Sequence, residues 1–211
     1  MTAPMSMNRV IHAAVRRDLA RLEDALGVVR DGDRERAGQL QRAFANLHDE
    51  LIHHHEGEDQ WIFPMLAGFD TDPDLLAAMD AEHNAMAEAL SETAAAMDAF
   101  AASGSAADAT KARESVVHTR TVVDRHLTHE ENDLDPLLVP HLESTEWKAV
   151  ERKLRSRPPG AAGRFFAWIQ DGMADDERTY LRSTVPPPVT FVLGRLFGRS
   201  YHRDIAPVWK N

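Results

Sequence analysis

Apolar residues recur along the first 140 positions at alternating steps of three and four, the spacing of a single buried stripe on an α-helix. His12, Val15, Leu19, Leu22 and Leu26 define a helix over about Met7 to Val29. Phe44, Leu47, Leu51, His54 and Glu58 place a second over about Arg34 to Ile62, after the turn RDGDRE. The break FDTDPD offers Thr71 or Asp72 as N-cap and Pro73 for the first turn. Leu76, Met79, His83, Met86, Leu90 and Met97 then mark a third helix. Beyond the link ASGSAAD, Val116, Thr119, Val123, His126, Glu130 and Leu137 mark a fourth, over about Ala109 to Leu134. Four helices with short connections predict an all-α, up-down-up-down four-helix bundle over residues 1–140.

Residues 141–211 have another character. They hold nine of the fourteen aromatics and the run Pro186, Pro187, Pro188. The pattern predicts short helices near 144–155, 162–171, 174–183 and 187–199, forming a C-terminal helical extension packed on the bundle.

Charge divides the chain at the same place. The formal net charge is -10, made of -14 over residues 1–140 and +4 over 141–211. An acidic body argues against nucleic acid as a partner. The basic segment is expected to fold back on the acidic one. No cysteine is present, which excludes disulfides and thiolate chemistry. No stretch approaches the length of a membrane span, and VTFVLGRLFG is too short for one. The start of the chain does not read as a secretory signal. These features predict a cytoplasmic protein with no membrane partner.

The stripes themselves carry the candidate chemistry. His12, His54, His83 and His126 lie on the inward faces of four different helices, and Glu58 and Glu130 follow two of them by one turn. The second and fourth helices share one pattern: histidine, acid at +4, proline at +10 (Pro64, Pro136) and leucine at +12 (Leu66, Leu138). His12 precedes His54 by 42 residues and His83 precedes His126 by 43, so the bundle reads as two related hairpins. In that topology all four histidines fall toward one end. Buried carboxylates are costly unless paired or bound to a cation. The set therefore predicts a two-metal site, with His12 and His54 on one ion, His83 and His126 on the other, and Glu58 and Glu130 bridging. Imidazole with carboxylate suits iron, manganese or zinc. His53 and His55 sit about 100° from the stripe and read as neighbours of His54 rather than ligands. His118 is a candidate for lining the interior; His129 and Asp133 read as solvent-exposed.

These residues resemble the hemerythrin-like family of HHE cation-binding domains. The resemblance rests on His12, on His54-His55-Glu56-Gly57-Glu58 followed by Ile62-Phe63-Pro64, on His83, and on His126 with Glu130. It implies a non-haem di-iron centre with an oxo or hydroxo bridge, handling dioxygen, nitric oxide or peroxide. The sequence departs from the oxygen-carrying members at two places. Ala87 stands where they have a further histidine on the third helix, and Glu130 stands at +4, with Glu131 at the +5 position of their bridging aspartate. One metal thus looks short of an imidazole, which shifts the expectation toward peroxide disproportionation, nitric oxide binding or sensing. Two other readings compete. A ferritin-like di-iron oxidase or iron store needs two Glu-x-x-His motifs, and only Glu50-Leu51-Ile52-His53 fits. A partner-binding regulatory bundle with structural metal is suggested by the aromatic, proline-rich tail.

Overall fold

A computed structural model of the chain describes residues 4–210, and no strand occurs among them. Four long helices carry the predicted stripes: α1 (Met7–Leu26), α2 (Arg34–Gly57), α4 (Pro73–Ser103) and α5 (Ala106–His129). Their starts are fixed by side chains that accept backbone N–H groups. Ser6 caps α1, Asp33 caps α2, Asp72 rather than Thr71 caps α4, and Ser105 caps α5. α1 contacts α2, α2 contacts α4, α4 contacts α5, and α5 returns to α1, so the ring closes around one core.

α4 ends on Gly104, whose φ of 67° is left-handed and whose N–H bonds the Phe100 carbonyl. A Cβ there would also stand 2.7 Å from Arg34 Cγ. Gly104→Ala is therefore expected to lower stability by about 1–2 kcal/mol, read as a shift in urea midpoint at unchanged slope.

The prolines at the shared offset do not end their helices as expected. Helical backbone continues through Glu58–Ile62 into α3 (Phe63–Ala67), and through Glu130–Leu134 into α6 (Asp135–Leu138). In each case the passage is a π-turn. Phe63 N–H donates to the Glu58 carbonyl, and Asp135 N–H to that of Glu130, five residues back. The next residue is proline, which has no N–H and whose ring crowds the carbonyl four residues earlier. Widening the turn by one residue accommodates it. The extra residue also shifts the stripe. Leu134 and Leu138 are buried, and Leu137, predicted inward, is exposed.

The C-terminal segment forms α7 (Thr145–Leu154), α8 (Pro159–Gln170), α9 (Asp175–Thr184), α10 (Pro187–Val192) and α11 (Arg199–Asp204). Trp168, Leu181, Tyr201 and Val208 join the core built by α1, α2, α4 and α5. Charge assists: Arg157 donates to Glu50 at 2.8 Å, so the basic segment does fold back on the acidic one. α7 closes the opposite end. Its Val150, Trp147 and Leu154 pack with Ile62, Phe63, Leu66, Met79, Leu134 and Leu138. Leu154 comes so close to α2 that a Cβ at Gly57 would meet its Cδ2 at 2.8 Å, so α7 packs directly on the HHHEGED stretch.

Candidate metal centre

The six predicted residues meet at one end of the helices, each delivered by its own stripe. His12 comes from the second turn of α1, His54 and Glu58 from the end of α2, His83 from early α4, and His126 and Glu130 from the end of α5. His12, Glu58, His83, His126 and Glu130 are buried, and His54 is nearly so. Two groups of ligand atoms each lie within 4.8 Å of one another: His12, His54, Glu58 and Glu130, and His55, Glu58, His83 and His126. Glu58 belongs to both. Its Oε1 lies 3.1 Å from His54 Nε2 and its Oε2 3.5 Å from His83 Nε2. Glu130 Oε2 lies 3.2 Å from His12 Nε2 and 3.8 Å from His126 Nε2.

His55 corrects the sequence reading. It is buried, its ring stacks on that of His83 at 4.3 Å, and it stands in the second group. α2 lies between α1 and α4, so its buried face is broader than one row. His54 turns toward His12 on α1, and His55, one turn beyond Leu51, turns toward His83 on α4. The signal was present in the i, i+4, i+7 row Leu51, His55, Glu58. The second group therefore contains three imidazoles, one more than the sequence reading placed there. His53 is exposed. His118 is exposed too and lines nothing inside.

A shell of carboxylates orients the rings. His83 Nδ1 donates to Asp59 at 2.7 Å, His126 Nδ1 to Glu82 at 3.0 Å, and His12 Nδ1 to Glu131 at 2.9 Å. An ionised carboxylate only accepts, so these Nδ1 atoms carry protons, and each ring turns its Nε2 into the cluster. Glu131 thus serves His12 from outside the cluster, braced by Arg16, and does not replace Glu130. Asp59 and Glu82 were not found from sequence; they are two acids among many. His129 is held by Glu82 at 3.1 Å and is only partly exposed, rather than free in solvent. Asn8 donates to Glu130 at 2.8 Å and fixes its other oxygen.

Electrostatics sets these groups against one another. Burial disfavours the His12 imidazolium, but Glu130 and Glu131 outweigh it and raise its pKa to about 9. Burial and the neighbouring His12 charge take His54 down to about 3. Burial, then His54, pushes His55 well down. Burial also lowers His126, although Glu130 opposes it. Burial drives the Glu58 carboxyl well up, and Glu130 beside it adds to that. Burial would raise Glu130 likewise, but His12 above all holds it well below the usual carboxylate range. Both oxygens of Glu58, Oε2 of Glu130 and Nε2 of His55 are buried with no hydrogen-bond partner. Such orphaned ligand atoms, gathered in two groups that share Glu58, fit cations.

The Glu50–His53 pair does not join them. Glu50 is taken by Arg157, and His53 is exposed. The family model described as Hemerythrin HHE cation binding domain matches residues 6–138, which contain both groups. Neither a curated protein nor a solved structure matches the chain.

Proposed function

Since the chain belongs to the hemerythrin HHE cation-binding family, we propose that it is a non-haem di-iron protein that binds or turns over dioxygen, nitric oxide or hydrogen peroxide, in sensing or detoxification. His12, His54, Glu58 and Glu130 hold one ion; His55, His83, His126 and Glu58 hold the other, with Glu130 in reach of both. The four long helices run up-down-up-down, which brings the two helix starts and two helix ends that bear ligands to one level. Residues 141–211 extend this unit and wall it.

One observation carries the reading. His83 and His126 both give their Nδ1 protons to carboxylates, and their Nε2 atoms face each other at 3.2 Å. With both Nδ1 atoms turned outward to carboxylates, the two Nε2 atoms converge as two ligands of one cation would. Two nitrogens bound at about 2.0–2.1 Å and about 90–109° apart stand roughly 2.9–3.4 Å from each other, the separation found here. When bound, the iron pair supplies redox chemistry and open positions for a small ligand. The chain's part is to hold the rings by Asp59, Glu82 and Glu131, and to keep water out. Phe63, stacked on His83, and Leu134 and Met79 form that apolar wall.

Protein expressed in iron-replete medium is expected to contain two irons per chain and a near-ultraviolet oxo-bridge band, and to bind nitric oxide or disproportionate peroxide. A fully folded protein without metal overturns the proposal. Iron far above two per chain points instead to a store, and a redox-inert ion that only stabilises the fold points to a structural metal.

A further inference from the structure

The helical stretch that follows the proline run is built inside out. The π-turn that continues α10, Leu193–Phe197, lies on α8 through Gly194 and the following Gly198, and Thr190 of α10 is buried with them. The large side chains face away: Phe191 is 66 % exposed and Leu196 50 %, with Val189, Val192 and Phe197 beside them. These are five of the ten exposed large hydrophobics among the described residues. Helices in water bury large residues and expose small or polar ones. Packing through small residues with large ones outward is the arrangement used where the surroundings are hydrocarbon.

Charge within the segment that carries the patch is of one sign, between Glu177 and Asp204. Residues 178–203 hold five arginines and no acid, in a chain of net charge -10. Arg182, Arg195 and Arg199 are exposed and make no ion pair among the described residues. A cavity of about 230 Å³ opens at the foot of the apolar helix, lined by Gln170, Arg178, Arg182 and Phe191 among others. Cationic and amide groups beside exposed aromatic and aliphatic side chains match a phosphate headgroup above acyl chains.

We propose that Pro187–Phe197, with the arginines that flank it, docks the protein onto an anionic phospholipid surface. The helix lies in the interface and does not span it. Its eleven residues are about 16 Å long against roughly 30 Å of hydrocarbon, and no helix of the described residues is long and apolar enough to cross a membrane. The sequence expectation of no membrane partner rested on span length, which this mode does not require. The acidic body does not prevent docking, because charges more than about 8 Å from the surface are screened at physiological salt. The inference is independent of metal.

The test is flotation of the full chain with vesicles of phosphatidylcholine alone or mixed equally with phosphatidylglycerol. The wild type is expected to float with the anionic vesicles, and less so as salt rises. Phe191→Ser with Leu196→Ser is expected to lower partitioning by more than about tenfold, given the apolar area lost. Arg195→Ala and Arg199→Ala are each expected to lower it about fivefold. Unchanged helical circular dichroism shows that the variants fold. The proposal is overturned if the wild type stays in the soluble fraction with anionic vesicles, or if the double variant floats equally well. It is also overturned if the wild type ignores vesicles and is instead a dimer that the double variant makes monomeric.

Discussion

Replacing Glu58 with alanine is expected to take iron from two per chain to none or nearly none. The carboxylate is the one side chain common to both ligand groups, with one oxygen toward His54 and the other toward His83. Losing it strips an anionic donor from each ion, and neither group then keeps more than a single carboxylate in reach. His55→Ala should act on one ion only, leaving about half the iron, because His12 and His54 are untouched. Glu56→Ala is the control: it lies in the same stretch but is exposed. Elemental analysis and the near-ultraviolet band read all three. Two irons retained in Glu58→Ala would sink the shared-ligand assignment. A second consequence has the opposite sign. Burial and Glu130 push the Glu58 carboxyl up, so in chelated protein the ionised group opposes folding above its ordinary pKa. Chelated Glu58→Gln should therefore be more stable than chelated wild type near neutral pH, although the loaded variant is less stable. A site whose own side chains resist being buried together is one that metal binding completes.

The sequence carried this site unevenly, and the unevenness has a physical cause. Histidines that extend an apolar stripe into the cluster were legible, since His12, His54, His83 and His126 each replace a hydrophobe at helical spacing. The matching offsets marked out Glu58 and Glu130, but Glu130 lies nearer His12 than the His126 of its own helix. His55 was missed because its row, Leu51, His55, Glu58, shares two members with the row that holds His54, and only α1 and α4 on either side show that α2 buries both. Pro64 and Pro136 announced a disturbance but not its kind. A proline tells that a carbonyl loses its partner, and the helix answers by widening rather than stopping. That choice moved Leu137 outward and Leu138 inward. Asp59 and Glu82 were hidden for a different reason. They are partly exposed, like the many acids of an acidic body, and only the Nδ1 atoms they face distinguish them.

Trp168→Ala is expected to destabilise the protein by about 3–5 kcal/mol, the range for truncating a fully buried aromatic. Trp168 is fully buried on α8, far along the sequence from the helix it serves. Its indole N–H donates at 2.8 Å to Asp18, which is itself buried on α1. Arg17 and Arg21 hold the other oxygen of Asp18 at 2.8 and 3.1 Å. Arg17 also donates to the Trp168 carbonyl at 3.1 Å, so one carboxylate and one arginine tie the C-terminal segment to α1. Truncation leaves a cavity and removes a donor from a buried anion, and the two costs add. Trp168→Phe keeps most of the volume and loses only the hydrogen bond, so it should cost less, about 1–3 kcal/mol. Urea unfolding followed by circular dichroism separates the two variants. A loss below about 1 kcal/mol for Trp168→Ala would mean that the segment rests on the bundle without supporting it. With a loss in the expected range, the C-terminal helices are structural partners of α1, the helix that also carries His12. Iron content measured on the same Trp168→Ala sample, kept cold and folded, then shows whether α1 holds its ligand in place without that wall.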